Sequence, residues 1–347
     1  MDYTSFQTFS EVTAKQKGNP STRWHRPGAD ANDADGHMAF QRLGREFFRP
    51  WIKPSFQVGR DATFFMMGSC FARGLESALS HQGLCVKSLS KKFDEFTAAG
   101  GTTPLGATNR YNTGSILNEF RWALDPASPF PEQAIIDLND GTAVDPHMNP
   151  VLALVDRQGT SVRRAIFQEV ASELANVDVV ILTLGLLEVW VDRKLGLVMN
   201  SVPPVSLLRQ DPDRFAFGRL RYADNLQNMN DIHALLQEFG KPGHRVVVTV
   251  SPVPLAATFA NEDVVSANTY SKSVLRAVAT DFAEDHENVD YFPSYEMVMN
   301  SSFDTSWIED KRHPQGKLGG HIMRTFVKNY VEGVDAGKVD IAQQYVV

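Results

Sequence analysis

The sequence has few cysteines and no long hydrophobic run. Two cysteines, Cys70 and Cys85, occur among 347 residues, which is too few for a disulfide framework. No segment approaches the roughly 18–20 consecutive apolar residues that a membrane-spanning helix requires. Residues 1–17 include Asp2 and Glu11 and lack a basic region followed by an apolar one, so they do not resemble a secretory signal. These absences predict a cytoplasmic protein without a membrane span, in which the Cys70 thiol stays reduced.

The sequence also lacks an excess of positive charge. Its formal net charge is −7, and the nearest candidates for a basic patch are the isolated pairs Lys91-Lys92 and Arg163-Arg164, which are expected to be solvated. A nucleic-acid binder usually carries a basic patch, so we expect no nucleic-acid partner. The histidines show no metal-binding spacing, and no glycine-rich phosphate loop follows a predicted strand. We therefore expect neither a metal site nor a nucleotide cofactor.

The composition, with 43% hydrophobic and 22% charged residues, is that of a globular protein. Residues 18–37 are rich in glycine, proline, asparagine and aspartate and poor in large apolar side chains. We interpret residues 1–45 as a partly irregular N-terminal arm that wraps either the domain or the partner subunit of a homo-oligomer. Residues 46–333 are predicted to form one catalytic domain, and residues 334–347 a C-terminal tail.

Strand-like and helix-like segments alternate along the predicted domain. Apolar residues at helical spacing predict helices within residues 71–79, 116–124, 226–239, 264–282 and 318–330. Short apolar runs predict strands at Phe64–Met67, Leu84–Val86, Val177–Leu184, Arg245–Val250 and Val289–Phe292. The third and fourth runs are almost continuously apolar, which is typical of strands covered on both faces. The alternation predicts a three-layer α/β/α fold with a mainly parallel central sheet.

One predicted insertion interrupts this alternation. The runs Val189–Asp192 and Leu197–Met199 are separated by a short segment that ends in Gly196. This pattern predicts a small β-hairpin after the third strand, with the glycine in its turn.

The first chemically informative segment is Gly68-Ser69-Cys70, where the first predicted strand meets the first predicted helix. Ligands of open α/β sheets bind beyond the carboxyl ends of the strands, so a nucleophile here would lie in the pocket region. The amides of a helix N-terminus also lower a thiol pKa and supply donors for an oxyanion. The alternative is that Cys70 is a buried structural cysteine.

The second segment is Asp310-Lys311-Arg312-His313, which follows the last predicted strand. Its spacing lets the carboxylate of Asp310 orient the imidazole of His313, whose other nitrogen would face the nucleophile. A charged surface loop is the alternative interpretation. Together with Cys70 or Ser69, the pair contains the parts of a nucleophile–base–acid relay.

The segment Gly68-Ser69-Cys70-Phe71-Ala72 carries the motif that gives the GSCFA family its name, and the chain resembles that family over roughly residues 45–330. That family looks like a branch of the SGNH, or GDSL-type, hydrolase superfamily. The remaining segments that carry the resemblance are Arg110–Thr113, Thr183–Trp190, Thr249–Leu255, Asn268–Lys272 and Tyr291–Glu296.

The resemblance implies an SGNH-hydrolase-like domain in which Cys70 stands where the superfamily has its serine nucleophile. Ser69, one position earlier, is the alternative nucleophile. His313 and Asp310 match the base and its orienting acid. Leu187 stands where the superfamily has its oxyanion-hole asparagine, so another donor is needed if the site is active; candidates are Asn112, Ser69 and backbone amides, including that of Gly185.

Other residues are expected around the same pocket. Glu188 and Trp190 follow the third strand, and Trp190 either stacks on the substrate or packs under the hairpin. Ser251, at the end of the fourth strand, is expected at the pocket rim. Lys272, in a predicted helix, is expected to be solvated.

The resemblance implies an ester hydrolase or an O-acyltransferase that forms a covalent acyl-enzyme, here on Cys70. Because thioesters react with water, alcohols and amines, hydrolysis and transfer both stay open. The expected substrate is an acylated glycan or a small ester, with no cofactor. One alternative is a non-catalytic binding or assembly protein on a degenerate scaffold. A weaker alternative is that Cys70 is a redox-sensing thiol, for which Cys85 is the resolving cysteine if the fold brings it close.

Overall fold

A computed structural model gives the structure of the chain and describes residues 6–33, 35–43, 45–96 and 106–334. Its strands are β1 (Thr63–Gly68), β2 (Cys85–Val86), β3 (Ile136–Asp137), β4 (Ala143–Val144), β5 (Val179–Leu184), β6 (Glu188–Asp192), β7 (Leu197–Val198), β8 (Phe215–Arg219), β9 (Arg245–Val250) and β10 (Val289–Tyr291).

Its helices are α1 (Phe9–Lys17), α2 (Ala39–Leu43), α3 (Cys70–His81), α4 (Thr113–Leu124), α5 (Arg157–Ala171), α6 (Val205–Gln210), α7 (Tyr222–Phe239), α8 (Val264–Asp285), α9 (Ser294–Met299), α10 (Phe303–Ser306) and α11 (Gly316–Tyr330). Short 3₁₀ helices lie at Lys91–Phe96, Glu132–Ala134 and Ser172–Asn176.

The central sheet is parallel throughout and has the strand order β10-β9-β5-β1-β2. Alternate side chains of each strand point to opposite faces, and both faces are buried. One face packs against α4, α5, α7 and α8, and the other packs against α3, α9 and α11. The predicted three-layer α/β/α fold with a parallel central sheet is confirmed.

Helix α3 illustrates how local sequence sets an element. Its apolar residues Ala72, Leu75, Ala78 and Leu79 share one face and are buried against the sheet. The hydroxyl of Ser69 caps the first turn, and Gly83 follows the helix with a φ of 75°, a left-handed conformation that suits glycine. Both ends therefore agree with the predicted helix.

A smaller antiparallel sheet of order β7-β6-β8 lies beyond the end of β5. Strands β6 and β7 form the predicted hairpin, with Gly196 in its turn at a φ of 67°. The sequence prediction missed β8, which pairs with β6 over five residues. The insertion is therefore a three-stranded sheet, larger than the hairpin that was expected.

A buried cluster of charged side chains lies between α4 and α5. Glu119 accepts hydrogen bonds from Arg110 and Arg164, and Arg164 also pairs with Asp145 at 2.6 Å. All four residues are buried. The expectation that Arg164 is solvated is therefore wrong: two carboxylates offset the two guanidinium groups, which makes their burial tolerable.

The N-terminal segment has two short helices, and α1 has no buried residue. Residues 18–33 and 35–37 contain turns and bends but neither helix nor strand. Apart from Val334, the predicted C-terminal tail lies outside the described residues. Within the described ranges, no helix is both long and apolar enough to cross a membrane.

Candidate active site

The site begins where three neighbouring strands end. Strands β1, β5 and β9 finish at Gly68, Leu184 and Val250, so the residues that follow meet at one edge of the sheet. A Cβ at Gly68 would lie 2.5 Å from the carbonyl oxygen of Thr183, and its φ is 155°. Glycine is required there because β1 and β5 approach closely and the chain turns into α3.

Cys70 is the first residue of α3 and is partly buried. Burial raises the pKa of its thiol, against the opposing effects of Arg312, the Phe71 amide and Lys272. The sulfur is therefore a neutral thiol at neutral pH. A nucleophilic role for Cys70 requires a base that removes the proton.

Ser69 caps α3 and is buried beside Cys70. Its hydroxyl oxygen accepts a hydrogen bond from the Phe71 amide at 3.4 Å, and the hydroxyl donates to Ser251 Oγ at 2.9 Å. Ser251 in turn donates its backbone amide to the Leu184 carbonyl. The Ser69 hydroxyl thus has a structural role in joining the ends of β1 and β9.

A tight turn presents His313 to the site. Asp310 Oδ1 accepts the backbone amides of Arg312 at 2.8 Å and His313 at 3.0 Å, while Lys311 takes a left-handed φ of 53°. Asp310 Oδ2 lies 2.6 Å from His313 Nδ1. The hydrogen bond from the backbone amide of His313 is the main reason that the pKa of Asp310 is lowered to about 2.

The orientation of His313 follows from these contacts. Because the Asp310 carboxylate can only accept, Nδ1 of the imidazole carries a proton and Nε2 is left as the acceptor. That nitrogen lies 3.2 Å from Nη1 of Arg312, whose Nε donates to the Pro254 carbonyl. The imidazole is in the tautomer that a general base needs, with an arginine on its free nitrogen.

Two adjoining cavities bring the two sequence segments together. A small cavity of about 40 Å³ is lined by Cys70, His313 and Met323, among others. A larger one of about 410 Å³, called here the active-site cavity, is also lined by Cys70 and His313. Six predicted site residues besides Cys70 line this larger cavity: Ser69, Gly185, Glu188, Trp190, Ser251 and His313.

Asn112 does not line the active-site cavity. It caps α4: its Oδ1 accepts the Ser115 amide at 2.8 Å, and its Nδ2 donates to the Met199 carbonyl at 2.9 Å. The buried side chain is therefore committed to the fold. The sequence offered a signal for this, since an asparagine directly before a helical apolar stripe is a common N-cap.

Asn109 lies in the active-site cavity instead. Its Nδ2 donates to the Tyr111 hydroxyl at 3.2 Å, and its Oδ1 is buried without a hydrogen-bond partner among the described residues. The backbone of the next residue, Arg110, donates to the Gly68 carbonyl at 2.7 Å. That contact fixes the segment beside the nucleophile turn, and sequence reasoning did not single out Asn109.

Leu187 is fully buried in the core, and its amide donates to Ser271 Oγ at 3.2 Å. It supplies no polar side chain to the site. Gly185 approaches the Tyr111 carbonyl so closely that a Cβ would lie 2.6 Å from that oxygen. Glycine therefore lets the loop after β5 pack against the segment that carries Asn109.

Lys272 is a site residue that the sequence prediction misplaced. Only 1% of it is exposed, and its Nζ donates to the Gly185 carbonyl at 2.8 Å. Burial lowers the pKa of its ammonium to about 7, partly offset by the Cys70 sulfur. The expectation of a solvated lysine is wrong, because α8 packs so that the ammonium group of Lys272 lies beneath the end of β5.

Glu188 and Trp190 occupy the aromatic side of the cavity. Glu188 accepts the Phe259 amide at 3.0 Å and the Thr258 hydroxyl, which anchors the Phe259 loop. The indole of Trp190 packs edge-on against Phe259, with ring centroids 5.4 Å apart, and also contacts Phe217 on β8. Trp190 therefore both lines the cavity and packs within the inserted sheet.

Cys85 lies far from this site. It pairs in register with Thr63 at the start of β1, whereas Cys70 follows the end of that strand. At about 3.3 Å per residue, the length of β1 separates the two thiols. Both cysteines are free, so nothing in the structure favours a redox pair.

A family model described as the GSCFA family matches residues 63–326. The chain belongs to the GSCFA family. The match extends from the first residue of β1 into α11, so it contains both the Cys70 turn and the Asp310–His313 turn. A search of curated proteins found no match.

Proposed function

We propose that this GSCFA protein is an SGNH-type enzyme that hydrolyses or transfers acyl groups through a covalent intermediate on Cys70. The observation that carries the proposal is that Cys70 and His313 line the same two cavities, although 243 positions separate them, while Asp310 holds His313 Nδ1 at 2.6 Å. The parallel sheet, with its site at the carboxyl ends of the strands, also supports it.

In the proposed reaction, His313 Nε2 removes the Cys70 proton and the sulfur attacks the acyl carbonyl carbon. The new S–C bond sends the carbonyl π electrons to oxygen, which forms a tetrahedral oxyanion. Its collapse breaks the bond to the leaving oxygen, which takes the proton from His313. Water or an acceptor alcohol then attacks the thioester by the same route, and Cys70 recovers its proton.

Asn109 is the side chain best suited to replace the missing oxyanion donor. Its amide uses one hydrogen on the Tyr111 hydroxyl, which leaves a second N–H for the substrate oxygen. It lines the active-site cavity with Cys70 and Gly185, whose backbone amides are the other proposed donors. The proposed oxyanion donor is therefore Asn109 and not Asn112, which lies three positions later and caps α4.

Two cations complete the proposed site. Arg312 covers His313 Nε2 in the resting arrangement, so it must swing aside before the imidazole can accept the Cys70 proton. Lys272 stays beneath Gly185 and, in its protonated form, places positive charge near the sulfur. Because both groups favour negative charge on the sulfur, they oppose the effect of burial on the thiol.

A non-catalytic binding protein on a degenerate scaffold is the second candidate. It is favoured by the buried Leu187 at the position of the expected asparagine and by Arg312 on the free nitrogen of His313. It predicts a Cys70 whose reactivity does not depend on His313. The two candidates therefore differ in one measurable quantity, the rate of acylation of Cys70 with and without its base.

The test is intact-protein mass spectrometry after incubation with activated acyl esters such as p-nitrophenyl acetate. Cys85 is an exposed free thiol that such esters would also modify, so every variant carries Cys85→Ala. In that background we expect stoichiometric acylation, lost in Cys70→Ala and retained in Ser69→Ala. Since a general base typically contributes about 10²–10⁴-fold, His313→Ala should slow acylation by at least roughly 100-fold.

The outcomes separate the candidates. Acylation that survives in both Cys70→Ala and Ser69→Ala rules out the acyl-enzyme, and loss only in Ser69→Ala moves the nucleophile to Ser69. Acylation of Cys70 at an unchanged rate in His313→Ala identifies a merely exposed thiol and favours the binding protein.

A further inference from the structure

A second cavity of about 620 Å³ adjoins the active-site cavity. Trp190, Ser201, Val202 and Phe259 line both, so the two spaces share a wall. The second cavity extends away from Cys70 between the segment around residues 143–154 and the start of α6. Its size falls in the range of about 300–1,000 Å³ that is typical of small-molecule sites.

The lining of this second cavity is mainly apolar. The aliphatic side chains that line it are Val144, Leu152, Leu154, Val202, Val205 and Leu208. Leu154, Val205 and Phe259 are also notably exposed, at 41%, 60% and 56%. Large apolar side chains left beside a cavity of this size mark a binding surface for apolar groups.

Most polar side chains in this lining are engaged with the protein itself, although the buried indole N–H of Trp190 has no hydrogen-bond partner among the described residues. Asp145 pairs with Arg164, Thr160 donates to the Ala143 carbonyl, and Asn149 donates to the Tyr111 hydroxyl. Arg163 donates to the carbonyls of Phe96 and Ala153. A ligand therefore meets few unused hydrogen-bonding groups there, which disfavours a sugar and favours a hydrocarbon.

The aromatic part of the shared wall is held in a fixed position. Glu188 accepts the backbone amide of Phe259, and this anchors the ring edge-on against Trp190. A charged side chain thus fixes an exposed phenylalanine at the junction of the two cavities. The residues between the two cavities thus place an apolar space beside the cavity that contains the nucleophile.

We propose that the second cavity binds the hydrocarbon chain of the acyl group that is transferred to Cys70. This rests on the proposed function and narrows its substrate from acyl esters in general to esters or thioesters of longer fatty acids. The carbonyl would lie beside Cys70 in the active-site cavity, and the chain would pass Trp190 into the apolar cavity. Each buried methylene should raise the acylation rate constant about four-fold until the cavity is full.

The experiment measures second-order acylation of Cys70 by p-nitrophenyl esters from acetyl to dodecanoyl, in the Cys85→Ala background. Ala153 is exposed and lines the cavity, so Ala153→Trp places a large ring in the cavity without entering the core. That variant should lower the ratio of dodecanoyl to acetyl rates by roughly 16-fold or more, because at least two methylenes lose their burial. Ala127→Trp, at an exposed turn outside both cavities, is the matched control and should keep the ratio.

A second measurement does not need catalysis. Dodecanoate is titrated by calorimetry into protein carrying Cys70→Ala, with and without Ala153→Trp, and we expect saturable binding that the tryptophan weakens. Acylation with a flat chain-length profile overturns the inference and leaves the proposed function standing. If no ester acylates Cys70, the proposed function fails. In that case, saturable dodecanoate binding that Ala153→Trp removes still supports a hydrocarbon site. If dodecanoate does not bind either, the hydrocarbon site is also overturned. If the wild-type protein is a dimer and Ala153→Trp dissociates it, the apolar surface binds a second copy of the chain, and the proposal of an acyl-chain site is overturned.

Discussion

The substitution Lys272→Met tests whether the ammonium group of Lys272 is desolvated in the folded protein. Lys272 is buried with a single hydrogen bond from Nζ to the Gly185 carbonyl, and burial lowers the pKa of its ammonium to about 7. An unfolded lysine has a pKa of about 10.4. Between these values the unfolded chain binds one proton more than the folded chain, so this group makes stability rise with pH.

The magnitude follows from proton linkage. With a folded pKa near 7, raising the pH from 7.0 to 8.5 should increase the free energy of unfolding by roughly 1–2 kcal/mol through Lys272 alone. Methionine has a similar length and no charge, so Lys272→Met removes this term. The difference between wild-type and variant free energies of unfolding should therefore rise by that amount over the same pH interval.

Urea denaturation at 25 °C, at half-unit pH steps from 7.0 to 8.5, measures this difference. Groups common to both proteins cancel in it. Lys328→Met, at an exposed position of α11, is the matched control and should give a difference that does not change with pH. If the Lys272→Met difference is equally flat, Lys272 is not desolvated in the folded protein, and its assignment to the site is wrong.

Two further predictions concern groups beside the site. Glu119→Gln should destabilise the fold by roughly 3–5 kcal/mol in urea denaturation, because it leaves the guanidinium groups of Arg110 and Arg164 buried with one carboxylate fewer. Asn109→Ala should slow acylation of Cys70 about 10²–10³-fold in single-turnover mass spectrometry, because the proposed oxyanion loses a donor.

Each of these predictions has its own control. Glu169→Gln breaks an ion pair with Lys92 in which both side chains are largely exposed, and it should change stability by at most about 1 kcal/mol. An equally small effect of Glu119→Gln would contradict the buried network. For Asn109→Ala, circular dichroism checks that the fold is retained; an acylation rate equal to wild type would remove Asn109 from the site.

The sequence predicted the central sheet because its signals are local. Continuous apolar runs such as Val179–Leu184 identify strands buried on both faces, and spaced apolar residues identify the helices that cover them. Helix α5 was missed although Ile166, Phe167, Val170 and Ala171 fall at helical spacing in its second half; its first half is polar and charged. The burial of Arg164 could not be predicted from the helix itself, because it depends on a carboxylate 45 positions away.

The distinction between local sequence signals and contacts with distant residues also applies to the site. The Cys70 turn and the Asp310–His313 turn are short local patterns, and each was predicted from a few residues. Lys272 could not be placed, because its burial depends on how α8 packs under the end of β5. Asn112 was predicted as a donor although its position directly before α4 is typical of an N-cap, and Asn109 was not considered.

In the proposed reaction, the cysteine at position 70 and the leucine at position 187 are compatible. A site that lacks an asparagine side chain at position 187 must stabilise the oxyanion by other means, which we propose are Asn109 and the backbone amides. Arg312 and protonated Lys272 favour negative charge at the Cys70 sulfur, and the oxygen of the tetrahedral oxyanion lies one carbon atom away from that sulfur. A thiolate also forms far more readily than a serine alkoxide. A buried leucine at position 187 should therefore cost the proposed cysteine-dependent reaction less than it would cost a serine enzyme.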